Sequence, residues 1–230
     1  MTEPSLRDFL DNAGAAARAV PAPDARAGRF HRSMPGYAPT ALAEAPGTAA
    51  QLGLGHLHVK LETARFGLPA FKILGASWAV CRALSRDAGR DEPATSFAEL
   101  RALVSPDDPP ELVAATDGNH GRAVAHMAAL LGLEARILVP EHTAAARIDA
   151  IAGEGATVDV VAGTYDDAIA ASAALAGERR LVISDHSWPG YEEVPAWVAD
   201  GYQTIFDELA EQLAALPPLC AIQIGVGALA

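Results

Sequence analysis

Gly67-Leu68-Pro69-Ala70-Phe71-Lys72-Ile73-Leu74-Gly75 holds one of only two lysines in the chain. The other is Lys60, and arginine carries nearly all the remaining positive charge. Proline suits the first turn of a helix, where its missing N–H leaves nothing unsatisfied, so Pro69 marks a helix start. Phe71, Ile73, Leu74, Trp78 and Leu84 then carry the helix into a core. A lysine in the first turn of such a helix is either a charge snorkelling to water on its aliphatic stem or a desolvated amine suited to nucleophilic work. The stretches around it decide which.

Downstream, a polar connector (86–110) with a short helix at Phe97–Leu103 leads into a regular alternation. Strands are expected at Leu112–Thr116, Ala135–Val139, Val158–Ala162 and Leu181–Ser184. Helices are expected at Arg122–Leu133, Thr143–Ile151 and Tyr165–Leu175, the last two ended by Gly153 and Gly177. Strand and helix in that rhythm imply right-handed crossovers and a four-stranded parallel sheet. A further helix is expected over Trp197–Leu216, then a last strand over Leu219–Ile224. Upstream, residues 1–30 hold a short helical pattern around Leu6, Phe9 and Leu10. Phe30–Thr40, dense in Pro and Gly, reads as irregular chain. Leu57–Leu61 reads as a strand in which Lys60 pairs with Glu62.

Three stretches carry chemistry. Ala115-Thr116-Asp117-Gly118-Asn119-His120-Gly121 follows a strand and opens a helix. Free N–H groups at a helix start hold a carboxylate or phosphate, and glycine lets a ligand come close; the bland alternative is a tight turn capped by Asp117. Gly225-Val226-Gly227-Ala228 again follows an apolar strand, a weak phosphate-turn signal by itself. Asp185, in Ser184-Asp185-His186-Ser187-Trp188-Pro189-Gly190-Tyr191, sits past the C-terminal end of a parallel strand, where open α/β sheets place ligand contacts. The aromatics and prolines after it suggest a rigid loop.

Composition bounds the function. The 230 residues suffice for one large or two modest cores. A net charge of −12 and a pI near 4.9 disfavour nucleic acid and anionic membrane as partners. No apolar run reaches spanning length, residues 1–20 lack a secretory apolar stretch, and Cys81 and Cys220 are too few for a disulfide framework. The expectation is a cytoplasmic protein with no resident metal.

Lysine at a helix start, then Gly118-Asn119-His120-Gly121, then a glycine turn after a strand resembles the fold type II pyridoxal phosphate enzymes, a group that includes serine and threonine dehydratases and the tryptophan synthase β chain. Within it the pattern is most similar to the diaminopropionate ammonia-lyase family. The residues that carry this are Arg65-Phe66-Gly67-Leu68 ahead of Ala70-Phe71-Lys72, the Ala115–Gly121 stretch, Trp188 with Gly190-Tyr191-Glu192, Pro195 with Trp197, and Gly201-Tyr202. The resemblance runs from about Phe30 to Ala230.

It implies an α/β fold of parallel sheets, C-terminally truncated, in which residues 76–189 form a smaller four-stranded domain and residues 1–75 with 190–230 belong to a larger cofactor domain. It implies pyridoxal 5'-phosphate as cofactor, Lys72 as the Schiff-base lysine and proton acceptor at Cα, and Asn119 on the cofactor's ring oxygen. Gly118, Asn119, His120 and Gly121 would hold the substrate carboxylate, and Gly225, Val226, Gly227 and Ala228 would begin the phosphate loop. Asp117 stands where the dehydratases carry serine and would be the second base; Asp185 matches a further acidic site residue. The implied reaction is α,β-elimination of ammonia from 2,3-diaminopropionate, giving pyruvate and ammonia, in a homodimer when full length. The alternatives are a serine or threonine dehydratase of the same fold and a truncated non-catalytic fragment. A nicotinamide-binding domain fits poorly, because the six-position glycine motif is incomplete.

Overall fold

The computed structural model describes residues 24–177, 179–224 and 227–229. The helical pattern expected around Leu6, Phe9 and Leu10 lies outside them.

The central sheet has four parallel strands: β3 (Glu111–Ala115), β4 (Ala135–Pro140), β5 (Thr157–Val161) and β6 (Arg180–Val182), in the spatial order β5-β4-β3-β6. Helices α5 (Asn119–Leu131), α6 (Ala145–Ala152) and α7 (Tyr165–Ala174) cross between successive strands. The chain steps outward from β3 to β4 to β5, then returns to the opposite side of β3 as β6. At that reversal the turns leaving β3 and β6 diverge and leave a crevice at their carboxyl ends. Val113, Ala114, Ala115, Ile137 and Val139 are fully buried, as a sheet covered by helices requires.

Helix α3 (Lys72–Asp87) opens with Lys72 itself; Pro69 lies in the turn ahead of it. Ile73, Leu74, Ala76 and Trp78 are completely buried, and with α5 and α8 (Glu193–Gly201) they form one continuous apolar cluster. Close packing of α3 on α8 needs two positions without side chains. A Cβ on Gly75 would stand 2.7 Å from both the Val198 carbonyl oxygen and its Cγ1, and one on Gly201 would stand 2.8 Å from the Gly75 Cα. The expected single helix over 197–216 is in fact two, α8 and α9 (Gln203–Gln212), with Tyr202 at the break. Helical periodicity cannot register such a break, because Tyr202 keeps helix-like dihedrals and remains 1 % exposed.

Of the remaining elements, α1 (Arg26–Arg32) packs on α9 and α3, and α4 (Phe97–Leu103) packs on α3. Helix α1 takes in Phe30, His31 and Arg32, which sequence had assigned to irregular chain. The buried His31 donates from Nε2 to the Leu74 carbonyl (3.0 Å) and accepts at Nδ1 from the Thr204 hydroxyl (2.7 Å), tying α1 to α3 and α9. Burial pushes its pKa down to about 3. Strands β1 (Leu42–Glu44) and β2 (His58–Lys60) pair antiparallel and flank α2 (Pro46–Gln51), while α4 (Phe97–Leu103) is capped by Ser96. Lys60 does not pair with Glu62: its ammonium donates to Glu208 at 2.7 Å, and Glu62 pairs with Arg65. Glu208, fully buried, also accepts from both terminal nitrogens of Arg65 (2.6 and 2.9 Å) and from the Tyr37 hydroxyl.

Leu219–Ile224, expected as a strand, takes no regular structure; Leu219 and Ile224 are 77 % and 71 % exposed. A strand is made by its neighbours' hydrogen bonds, and among the described residues none lies beside this segment.

Burial pushes the Glu208 carboxyl up, but its bonds from Arg65, Lys60 and Tyr37 outweigh it and hold the pKa at about 2. An unfolded glutamate titrates near 4.3, so this carboxylate stabilises the fold fully above about pH 4.3, and the contribution is lost as pH falls towards 2. Glu208→Gln leaves two buried cations short of a partner and should cost about 3–5 kcal/mol at neutral pH. In urea unfolding, the gap between variant and wild type should narrow steadily below about pH 4.3; a gap independent of pH would contradict this account.

Candidate active site

Three chain segments meet at the crevice: the start of α3, the turn from β3 into α5, and the turn after β6. With Arg147 of α6 and Tyr165 of α7 they line an open cavity of about 550 Å³ that includes Lys72, Asp117, Asn119, His120 and Asp185. This lies in the size range of small-molecule sites.

Lys72 is placed by the ends of α3 and α8. Arg65-Phe66-Gly67-Leu68 closes on itself through paired backbone bonds (Arg65 N to Leu68 O, 2.8 Å; Leu68 N to Arg65 O, 2.9 Å). Phe66 and Gly67 both take positive φ, 53° and 76°, to make that turn. Phe71 and Tyr202 meet edge to face at 5.0 Å, with the Lys72 ammonium 5.7 Å from the Tyr202 ring. The ammonium donates to Asp185 Oδ2 at 2.8 Å.

The β3–α5 turn is held from inside. Thr116 Oγ1 accepts from the Gly118 N–H at 2.9 Å. A Cβ on Gly121 would collide with the Thr116 methyl and lie 2.6 Å from Ile137 Cγ2, so only glycine lets α5 start so close to the sheet. The helix N-cap is Gly118, and no side chain caps it. Asp117 is therefore not an N-cap: its side chain is 78 % exposed at the rim, 3.7 Å from Arg147, whose guanidinium also donates to the Asp117 carbonyl at 2.7 Å. Asn119 is exposed to the same cavity.

His120 points inward. Its Nε2 donates to the Ile183 carbonyl (2.8 Å), which fixes the proton on that nitrogen. Nδ1 faces Asp185 Oδ2 at 3.8 Å and makes no hydrogen bond among the described residues. Asp185 is thus flanked by the Lys72 ammonium and the His120 ring. Burial pushes its carboxyl up, yet His120 and Lys72 together hold it below the usual carboxylate range. The turn carrying it is latched by Tyr191, whose hydroxyl donates to the Val182 carbonyl (2.6 Å) and accepts from the Ser184 N–H (3.2 Å). Trp188 stacks on Tyr191 with ring centroids 4.0 Å apart.

Lys72, Asp117, Asn119, His120 and Asp185 are brought together; Gly118 and Gly121 shape the turn beside them. Gly227 and Ala228 do not line the cavity, and Gly225 and Val226 lie outside the described residues. Sequence reasoning missed Tyr165 and Arg147, both of which line the cavity. Burial, and after it the Asp185 and Asp117 carboxylates, push the Tyr165 hydroxyl pKa above its ordinary value. Tyr165 opens a helix directly after the β5 turn, a position that topology alone would have flagged.

A profile of the family described as "Pyridoxal-phosphate dependent enzyme" matches residues 34–230. The chain belongs to this family. It is 39% identical over 211 residues to a diaminopropionate ammonia-lyase of Salmonella typhimurium, covering 87% of this chain and 52% of that protein. A rat L-serine dehydratase/L-threonine deaminase is 33% identical over 150 residues, 63% of this chain and 38% of that one. The crystal structure of Escherichia coli diaminopropionate ammonia lyase in apo form superposes with a TM-score of 0.76 at 37% identity, covering 81% of this chain and 51% of that chain. The fold is therefore the fold type II α/β architecture, and the chain spans about half the length of the ammonia-lyases it matches. Among the described residues no helix is long and apolar enough to cross a membrane.

Gly121→Ala should destabilise by about 1–3 kcal/mol, the usual effect of forcing one carbon into a closed contact. Thr116→Ser removes the nearest of the colliding atoms and keeps the hydroxyl on Gly118 N–H, so the double variant should recover part of that loss in urea unfolding, the Ile137 contact remaining. Simple additivity of the two changes would refute the contact.

Proposed function

We propose that the whole protein binds pyridoxal 5'-phosphate and eliminates ammonia from 2,3-diaminopropionate, giving pyruvate and ammonia. The observation that carries this is the Lys72 ammonium held 2.8 Å from Asp185 in a cavity shared with Asn119 and an uncapped helix start. The residues fit the cofactor: an amine on a rigid helix terminus, an amide for a ring oxygen and free N–H groups for a carboxylate. Lys60, the other lysine, is occupied, with its ammonium on Glu208, the Thr40 carbonyl and Gln212.

The cofactor, when bound, supplies the electron sink that makes the substrate's Cα–H acidic. The chain's own residues supply the rest. Lys72 is the attachment point and takes the Cα proton on its face. Asn119 holds the cofactor ring, and the Gly118–Gly121 turn binds the substrate carboxylate. Gly225, Val226, Gly227 and Ala228 begin the phosphate loop. With the Lys72 amine engaged, the Asp185 and Asp117 carboxylates line the cavity beside Arg147 and His120, a set that suits a substrate bearing a second ammonium. Asp117, at the rim, reaches the other face of Cα as a second base.

In this reading residues 76–189 form the smaller domain, and residues 1–75 with 190–230 belong to the larger cofactor domain. The protein works in the cytoplasm, consistent with two unpaired cysteines, and as a homodimer, as the family resemblance implies.

Borohydride reduction of the protein with its cofactor, followed by peptide mapping, should place the pyridoxyl group on Lys72. Label on Lys60 would overturn the assignment. Asp117→Asn removes a basic oxygen and keeps size; a lost general base costs a factor of about a hundred to ten thousand. The D enantiomer of diaminopropionate should lose that much in turnover and the L enantiomer much less. Equal losses for both would remove Asp117 as a base, and faster turnover of serine than of either enantiomer would move the protein to the dehydratases.

A further inference from the structure

Away from the cavity, the β1–β2 ladder presents Glu44, His56 and His58 on one exposed face. One carboxylate oxygen and one nitrogen from each imidazole all lie within 4.8 Å of one another. The backbone sets this arrangement. Glu44 and His58 are direct partners across the antiparallel pair, a relation that brings Cβ atoms to about 4.5–5.5 Å. His56 lies two residues before His58, so an extended chain points both to the same side. The Ala45 N–H to Leu57 carbonyl bond (2.9 Å) continues the ladder between them. The two rings lie nearly parallel, 14° apart, with centroids at 6.1 Å.

We infer that Glu44, His56 and His58 form a binding site for a borderline divalent cation of the zinc(II), cobalt(II) or nickel(II) class. Two imidazoles and a carboxylate are the donor set such ions favour, whereas calcium and magnesium require an all-oxygen shell. Tetrahedral coordination with bonds of about 2.0–2.2 Å needs donors about 3.3–3.6 Å apart, so side-chain rotation alone closes the site. Water fills the fourth position, since all three residues are exposed. The backbone that carries the ligands is already ordered, which keeps the ordering entropy small. An ion here joins the two ends of the segment containing α2 and clamps β2, the strand from which Lys60 reaches Glu208. Its role is structural, and it owes nothing to the chemistry of the Lys72 cavity.

The test is titration of the purified protein with Zn²⁺ by calorimetry and with Co²⁺ by visible absorption. His56→Ala and His58→Ala should each weaken binding at least about tenfold, since losing even a supporting partner of a ligand costs 10–100-fold. Zn²⁺ should raise the thermal midpoint of the wild type and not that of His58→Ala; all three positions are exposed, so the variants keep the fold. His142→Ala, at an exposed histidine beside Glu141 (3.6 Å), is the control and should bind as the wild type does. Unchanged affinity in the His56 and His58 variants, lost affinity in the His142 variant, or a thiolate charge-transfer band from Cys220 in the Co²⁺ spectrum would each overturn the assignment.

Discussion

Contact between the backbones of α3 and α8 at Gly75 and Gly201 is the constraint on which the rest of the molecule depends. Neither glycine is chosen for flexibility; each is there because a single added carbon would meet backbone atoms of the other helix. That approach fixes where α3 begins, and Lys72 is its first residue. It also brings Tyr202 against Phe71, so the lysine stem leaves a wall of two aromatic rings instead of a mobile surface. The ammonium can then meet the carboxylate carried by the turn after β6 with little freedom left to lose.

The buried ion cluster at Glu208 does the same for the other half of the chain. Tyr37, Thr40, Lys60 and Arg65 lie between α1 and α3, and all donate to one carboxylate on α9. A carboxylate so placed is stable only when every lone pair is used. Arg65 also opens the Phe66-Gly67 turn, so the cluster aims the approach to Lys72 while it stabilises the fold.

What the sequence made legible follows from periodicity and from local chemistry. The strand–helix alternation from Leu112 to Val182 was readable to within a few residues at each end, because covered strands and amphipathic helices write distinct patterns. The Gly118–Gly121 turn was readable because two glycines around Asn-His exceed what starting a helix requires. Long-range pairing was not readable: nothing near Lys60 says that its partner is Glu208 and not Glu62. Tyr202 hid the break between α8 and α9 because its own pattern is helical. Leu219–Ile224 looked like a strand because apolar runs signal burial, and burial depends on neighbours the local sequence does not describe. Arg147 and Tyr165 escaped notice because only the folded topology carries the β4 and β5 turns to the cavity of the β3 turn.

The strand order β5-β4-β3-β6 also governs the order in which the molecule can assemble. The β3–β4 and β4–β5 pairings join segments that are neighbours along the chain, each separated by one helix. The Lys72–Asp185 contact bridges 113 residues, and Lys60–Glu208 bridges 148. Closing loops of that span carries an entropy penalty that local pairings do not meet, and non-local contacts are what slow folding. The parallel sheet is thus a scaffold able to form early, and the lysine finds its carboxylate only after β6 has docked on the free side of β3. A nascent chain with most of its secondary structure in place would still have no assembled site.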